Sequence, residues 1–208
     1  MSEEKRHVIV SIDIGVKNLG WSIFASAQSF KTTLKQPLEQ LSITFGIFNI
    51  TETVRADQSI VTERCKAVKT FMQHIANNFV IDYVIIERQV VTNTKAMELM
   101  YAITMAAHCY TDNSNDVIIF DPKLKFTLLK LEYNTQNKYH KKQSIAMCRT
   151  MLCEVAEQKV EDFDKFEKKD DVADSFNQAF EWMCTKNMID YNLTTMRNNV
   201  MKVVEMFN

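Results

Sequence analysis

The chain has 208 residues, 46% of them hydrophobic and 25% charged, with a net charge of −1. That balance suits one globular domain with a sizeable core and excludes a disordered chain. No apolar run approaches the roughly 18 residues of a bilayer span, and the opening MSEEKRHVIV lacks the apolar stretch of a secretory signal, so an intracellular setting without membrane partners is expected.

The predicted elements begin with a buried strand over His7–Ile14 (HVIVSIDI). A tight connection follows, then a second strand over Leu19–Ala25. Two of the three glycines, Gly15 and Gly20, fall in this short segment, which implies unusual backbone demands there. Residues 26–40 read as a polar hairpin loop, and Leu41–Ile50 alternates as a third strand that completes an antiparallel meander. From about Thr53 to Phe79 the apolar period becomes helical. Tyr83–Glu87 (YVIIE) is a short strand ending in a carboxylate. Thr92–Tyr110 is a helix carrying Met97, Met100 and Met105. Asn115–Phe120 is a fifth strand, and Gln143–Gln158 and about Asp170–Lys186 are helices. The order β-β-β-α-β-α-β-α-α predicts an α/β fold, a mixed sheet of about five strands with helices on both faces. A single domain is expected over 1–208, with its core at about 7–187 and a C-terminal extension at 188–208.

Five cysteines (Cys65, Cys109, Cys148, Cys153, Cys184) scatter without a C-x-x-C pair and are expected to be buried thiols rather than disulfide or zinc ligands. Charge is uneven. Residues 121–150 hold seven basic and two acidic residues, a net +5, whereas residues 151–174 hold four basic and nine acidic residues, a net −5. Such blocks are commonly solvated faces, but they also fit a phosphate-binding surface beside a cation-binding cluster.

Four carboxylates carry the chemical reading. Asp13 lies inside an apolar strand and Glu87 ends another, and each position costs several kcal/mol unless something compensates. Asp171 and Asp174, in KKDDVADSFNQAF, are three apart and share one helix face. Each has a plain alternative as a strand-end or helix-N-terminal acid. Together they predict an all-oxygen cluster that would take Mg²⁺, with Mn²⁺ as a substitute, and assist phosphodiester hydrolysis.

SIDIGVKNLGWSIF, IIERQ and KKDDVADSFNQAF, in this order over about Val8–Phe180, resemble the three acidic motifs of RuvC-like Holliday junction resolvases of the poxvirus type, within the RNase H-like superfamily. The resemblance implies Asp13, Glu87, Asp171 and Asp174 as metal ligands and catalytic residues. It also implies a catalytic lysine in HKKQSIAM, Lys142 or Lys141. DNA contacts are expected from Lys17, Asn18, Arg88, Gln89, Lys123, Lys125 and Lys141, with Lys130 a further basic residue. It further implies branched DNA and four-way junctions as substrate, a homodimer using the methionine-rich helix, and residence in the host cytoplasm at a site of viral replication. Competing readings are an RNase H-type or integrase-like nuclease on the same fold, an actin-like ATPase, and a non-catalytic junction-binding scaffold. The second of these needs a second domain and another phosphate loop, and the third would be expected to lack one of the four acids.

Overall fold

The computed structural model describes residues 5–32, 34–51, 60–127 and 137–205. Strands β1 (His7–Ile14) and β2 (Asn18–Ser26) open the chain. The two-residue β3 (Gln36–Pro37), β4 (Ser42–Asn49), helix α1 (Val61–Asn78), β5 (Val80–Glu87), α2 (Thr94–His108) and β6 (Val117–Phe120) follow. Then come α3 (Asn137–Val155), the short α4 (Val160–Asp164), α5 (Lys169–Thr185), the two-residue β7 (Ile189–Asp190) and α6 (Leu193–Glu205).

The five longer strands make one sheet in the order β4-β2-β1-β5-β6. The β1–β2 and β2–β4 pairs are antiparallel, as the meander predicts, and β5 and β6 add in parallel. Two apolar clusters cover the two faces. Val8, Val10, Ile12, Val84 and Ile86 point to the side of α1 and α2. Ile9 and Ile85 point to the side of α3, α5 and α6. Because side chains alternate along a strand, Ser11 and Asp13 follow Ile9 onto the α5 face, and Glu87 follows Ile85.

The expectations differ from the structure in several places. Residues 26–40 are more than a polar loop: Phe30 and Leu38 are buried in the core, and Gln36 and Pro37 pair with β7. The anchor is Asp82, buried on β5 at a register shift where Val8 pairs with Ile81 and Ile9 with Tyr83. The extra residue turns Asp82 inward. There its carboxylate accepts hydrogen bonds from Ser29 Oγ (2.7 Å) and Phe30 N (2.6 Å) and meets His7 Nδ1 at 3.0 Å. β5 therefore starts three residues earlier than the apolar run alone indicates. The helix expected from Thr53 starts at Val61 in the described residues, and 52–59 lie outside them, as does Lys130. α3 begins at Asn137, six residues before expected. The C-terminal extension is not separate from the core, since Ile189 and Val200 are buried in the same cluster as α3 and α5. All five cysteines are free, but only Cys148 is fully buried, and Cys65, Cys109 and Cys153 are exposed. No helix among the described residues is long and apolar enough to cross a membrane.

Candidate active site

β1 and β5 are adjacent and parallel, with Ile12 opposite Ile86, so Asp13 and Glu87 leave the sheet side by side at one edge. α5 lies across this edge. Val172, Ala173, Phe176, Ala179 and Phe180 are wholly buried, and the Phe176 ring sits 5.1 Å from that of Phe24. Contact is closest at Gly20, which pairs with Asp13 across β1–β2: a Cβ there would fall 2.2 Å from the Asp171 carbonyl oxygen. Gly15 faces the same limit, since its Cβ would fall 2.6 Å from Asn18 O. Both glycines are required by close approach, not by a positive φ.

At the centre is Lys125. It was expected on the surface as a phosphate contact, but the 3-10 turn Pro122–Phe126 folds it inward, and its side chain is 4% exposed. Its Nζ donates to Glu87 Oε1 at 2.8 Å and stands 3.5 Å from Asp174 Oδ2 and 3.8 Å from Asp13 Oδ1. Three carboxylates from three elements thus surround one ammonium. Burial pushes the Asp13 carboxyl well above the usual carboxylate range, and the adjacent Glu87 charge adds to the rise. Burial would also raise Glu87, but the Lys125 charge and hydrogen bonds from Asp13, Lys125 and Gln89 outweigh it and hold the group below its ordinary value. Lys125 is raised despite its burial by Asp174, Glu87 and Asp13. Among the described residues no three His, Cys, Asp or Glu side chains are closed into a metal cage. The oxygen-only donor set gathered on Lys125 nonetheless fits a hard divalent cation, because it already holds a positive charge at its centre.

Asp171, one turn before Asp174, lies outside this group. Lys168 is its nearest ion partner at 3.9 Å, and burial followed by the Asp170 charge raises its carboxyl. A cleft of about 150 Å³ opens beside the acids, lined by Glu87, Pro122, Lys125, Phe126, His140, Lys141 and Asp174. Lys141, ion-paired with Asp170, lines it; Lys142 is exposed and is not part of the lining. Gln89 reaches back to Glu87 Oε2 at 3.0 Å. Lys17, Arg88 and Lys123 are exposed around the acid edge, and Asn18 is buried at the start of β2.

His140, Ser144, Asn177 and Gln178 were not anticipated. His140 stacks on Phe126 with ring centres 5.6 Å apart, and burial lowers its pKa against the pull of Asp174. Ser144 Oγ donates to Asp174 and accepts from Asn177 Nδ2 at 2.8 Å. The readable signal was polarity: Asn177 and Gln178 stand between the apolar residues Phe176 and Ala179 in a stretch of α5 that is wholly buried.

Residues 7–186 match the family model described as Poxvirus A22 protein. No curated protein sequence matches the chain. Among solved structures, the chain is similar to the Fowlpox virus resolvase in complex with Holliday junction DNA. That match has 23% identity and a TM-score of 0.61, covering 86% of this chain and 98% of that one. The Thermus thermophilus RuvC structure matches at 15% identity and a TM-score of 0.55, covering 87% and 97%. The yeast mitochondrial Holliday junction resolvase matches at 16% identity and a TM-score of 0.52, covering 96% and 86%. At these identities the likenesses establish the fold, an RNase H-like mixed sheet.

Proposed function

We propose, for a chain that belongs to the Poxvirus A22 protein family, that it resolves four-way DNA junctions by hydrolysing one phosphodiester in each of two opposed strands. The observation that carries this reading is the convergence of Asp13, Glu87 and Asp174, from β1, β5 and α5, on the single buried charge of Lys125. The junction complexes of the Fowlpox and Thermus proteins support the substrate class.

Asp13, Glu87 and Asp174 would hold Mg²⁺ or Mn²⁺, with Asp171 one turn away as a further ligand. When bound, the cation supplies the positive charge that lowers the pKa of water and stabilises a leaving oxygen. The chain's own groups do the rest. Gln89 fixes the Glu87 carboxylate through a 3.0 Å hydrogen bond, and Ser144 fixes that of Asp174. Lys125, close to all three acids, holds them together until the cation takes the place of its charge among them. Lys141 fits the role of cleft lysine better than Lys142, because it lines the cleft. Lys17, Arg88 and Lys123 would hold phosphates on either side, an attraction that weakens steeply with salt.

Two opposed cuts call for two sites related by a two-fold axis, hence a homodimer. On α2, Met100 is buried, whereas Tyr101 and Met105 are 60% and 68% exposed, and Val90 and Val91 just before the helix are exposed as well. These residues form the face we assign to the dimer contact. Viral genome processing in the host cytoplasm is the setting that family membership favours.

The test is cleavage of a synthetic four-way junction, an RNA–DNA hybrid and a plain duplex, with Mg²⁺ and with EDTA. Symmetric nicks confined to the junction are expected, and Asp13→Asn or Asp174→Asn abolishes them while junction binding persists. Preferential cutting of the hybrid would instead assign the chain to RNase H-type chemistry.

A further inference from the structure

Gln178 is wholly buried on α5, one turn beyond Asp174, so both side chains face the sheet. Its Nε2 donates to Ser11 Oγ at 3.0 Å and to Ile85 O at 3.2 Å, with Ile12 O at 3.4 Å. Ser11 lies two residues before Asp13, and Ile85 two before Glu87. One amide therefore grips both acid-bearing strands at the same level, directly behind the carboxylates.

Its other end is unsatisfied, since Gln178 Oε1 is buried and has no hydrogen-bond partner among the described residues. A buried unpaired carbonyl costs about 1–3 kcal/mol, so stability alone favours an apolar residue here. What an apolar residue cannot supply is direction. Val172, Phe176, Ala179 and Phe180 hold α5 to the sheet by burial, which is non-directional. Misplacement by about 1 Å costs on the order of 10²-fold in rate.

We propose that Gln178 is a positioning residue. It locks the register of α5 against β1 and β5, so that Asp174 meets Asp13 and Glu87 at the cleft. The inference deepens the proposed nuclease function and rests on it for its kinetic consequences, but the register lock itself does not depend on catalysis.

The experiment compares the full chain with Gln178→Met and with Ser11→Ala/Gln178→Met, which also removes the stranded hydroxyl. Urea unfolding in EDTA reports global stability, and amide hydrogen exchange at residues 173–177 reports how firmly this turn of α5 is held against local opening. Mn²⁺ affinity by electron paramagnetic resonance and single-turnover nicking report the site. The double variant is expected to unfold at the same urea concentration as wild type or higher, with exchange at 173–177 about tenfold faster and α1 unchanged. Mn²⁺ affinity and nicking rate at saturating enzyme fall about 10–100-fold, while the junction concentration for half-saturation stays within about twofold. Wild-type exchange and wild-type Mn²⁺ affinity in the double variant overturn the proposal. A loss of global stability that accounts for the lost rate also overturns it, because Gln178 is then packing. If wild type cuts no junction, the proposed function fails, and the exchange measurement still decides the lock.

Discussion

Lys125→Met tests whether the acid cluster depends on its internal cation. The ammonium stands 2.8, 3.5 and 3.8 Å from oxygens of Glu87, Asp174 and Asp13, with its side chain 4% exposed. A pair of charges 4 Å apart is worth about 4 kcal/mol at an effective dielectric constant near 20. Methionine keeps the volume and removes the charge, leaving Glu87 and Asp174 to repel each other. Asp13 is already held toward its protonated form and adds less. Breaking a buried ion pair from one side costs about 3–5 kcal/mol, and partial protonation of the remaining acids places the loss near the lower bound. For a chain of this length that lowers Tm by about 6–12 °C. Divalent cations should reverse much of it. At a hundred times the dissociation constant, binding adds about 2.7 kcal/mol, and the variant, which has no ammonium to displace, gains more from Mg²⁺ than wild type does. Urea titrations in EDTA and in saturating Mg²⁺ measure both quantities. A variant within about 1 kcal/mol of wild type in EDTA, or one that gains no more than wild type from Mg²⁺, would refute the electrostatic account.

Asp13 gives a pH signature. Its pKa is raised above the ordinary aspartate value of 3.8, so folding takes up a proton: this contribution to stability is full below 3.8 and is lost as pH rises through the raised value. Glu87, lowered from 4.5, acts in the opposite sense, stabilising above 4.5 and losing that contribution as pH falls through its lowered value. Divalent binding must expel the Asp13 proton, so calorimetry in two buffers of different ionisation enthalpy is expected to detect proton release, with affinity weakening toward acid pH; no release below the raised Asp13 value would contradict the assignment. Gly20→Ala sets a Cβ 2.2 Å from the Asp171 carbonyl oxygen; overpacking of this kind costs about 1–3 kcal/mol, read by urea unfolding, and junction nicking falls as α5 is pushed off the acid edge. Tyr101→Glu with Met105→Glu places charge on the exposed face of α2 and is expected to give folded monomers by sedimentation velocity, with a melting temperature that no longer depends on protein concentration; an unchanged dimer would place the interface elsewhere.

Strand parity made two of the acids legible in advance. In HVIVSIDI and YVIIE the apolar run ends on a carboxylate, and neighbouring parallel strands bring such ends to one edge. The three-residue spacing placed Asp171 and Asp174 on one helix face but did not show that only Asp174 reaches the ammonium, which depends on where α5 crosses the sheet. The resemblance left Lys141 and Lys142 unseparated, and the helix expected from Gln143 did not cover either. Starting at Asn137, α3 carries His140, Lys141 and Ser144 around one side toward Asp174, and Lys142, about 100° beyond Lys141, is not part of the cleft lining.

Lys125 was hidden for a deeper reason. In the sequence it is one of seven basic residues between 121 and 150, and nearly all lysines are exposed. Its burial follows from the turn that Pro122 starts and the Asp121 side chain caps, accepting from Lys123 N at 3.0 Å. The turn alone would not keep an ammonium out of water. The three carboxylates do, and their own burial is tolerable because Lys125 is among them. Neither the acids nor the lysine has a reason to be buried without the other, so no local pattern around Lys125 announces it. The requirement is visible only from the acids: carboxylates predicted to converge in a core need a positive charge among them, and a lysine on a short turn beside the β5 edge can supply it from within the chain.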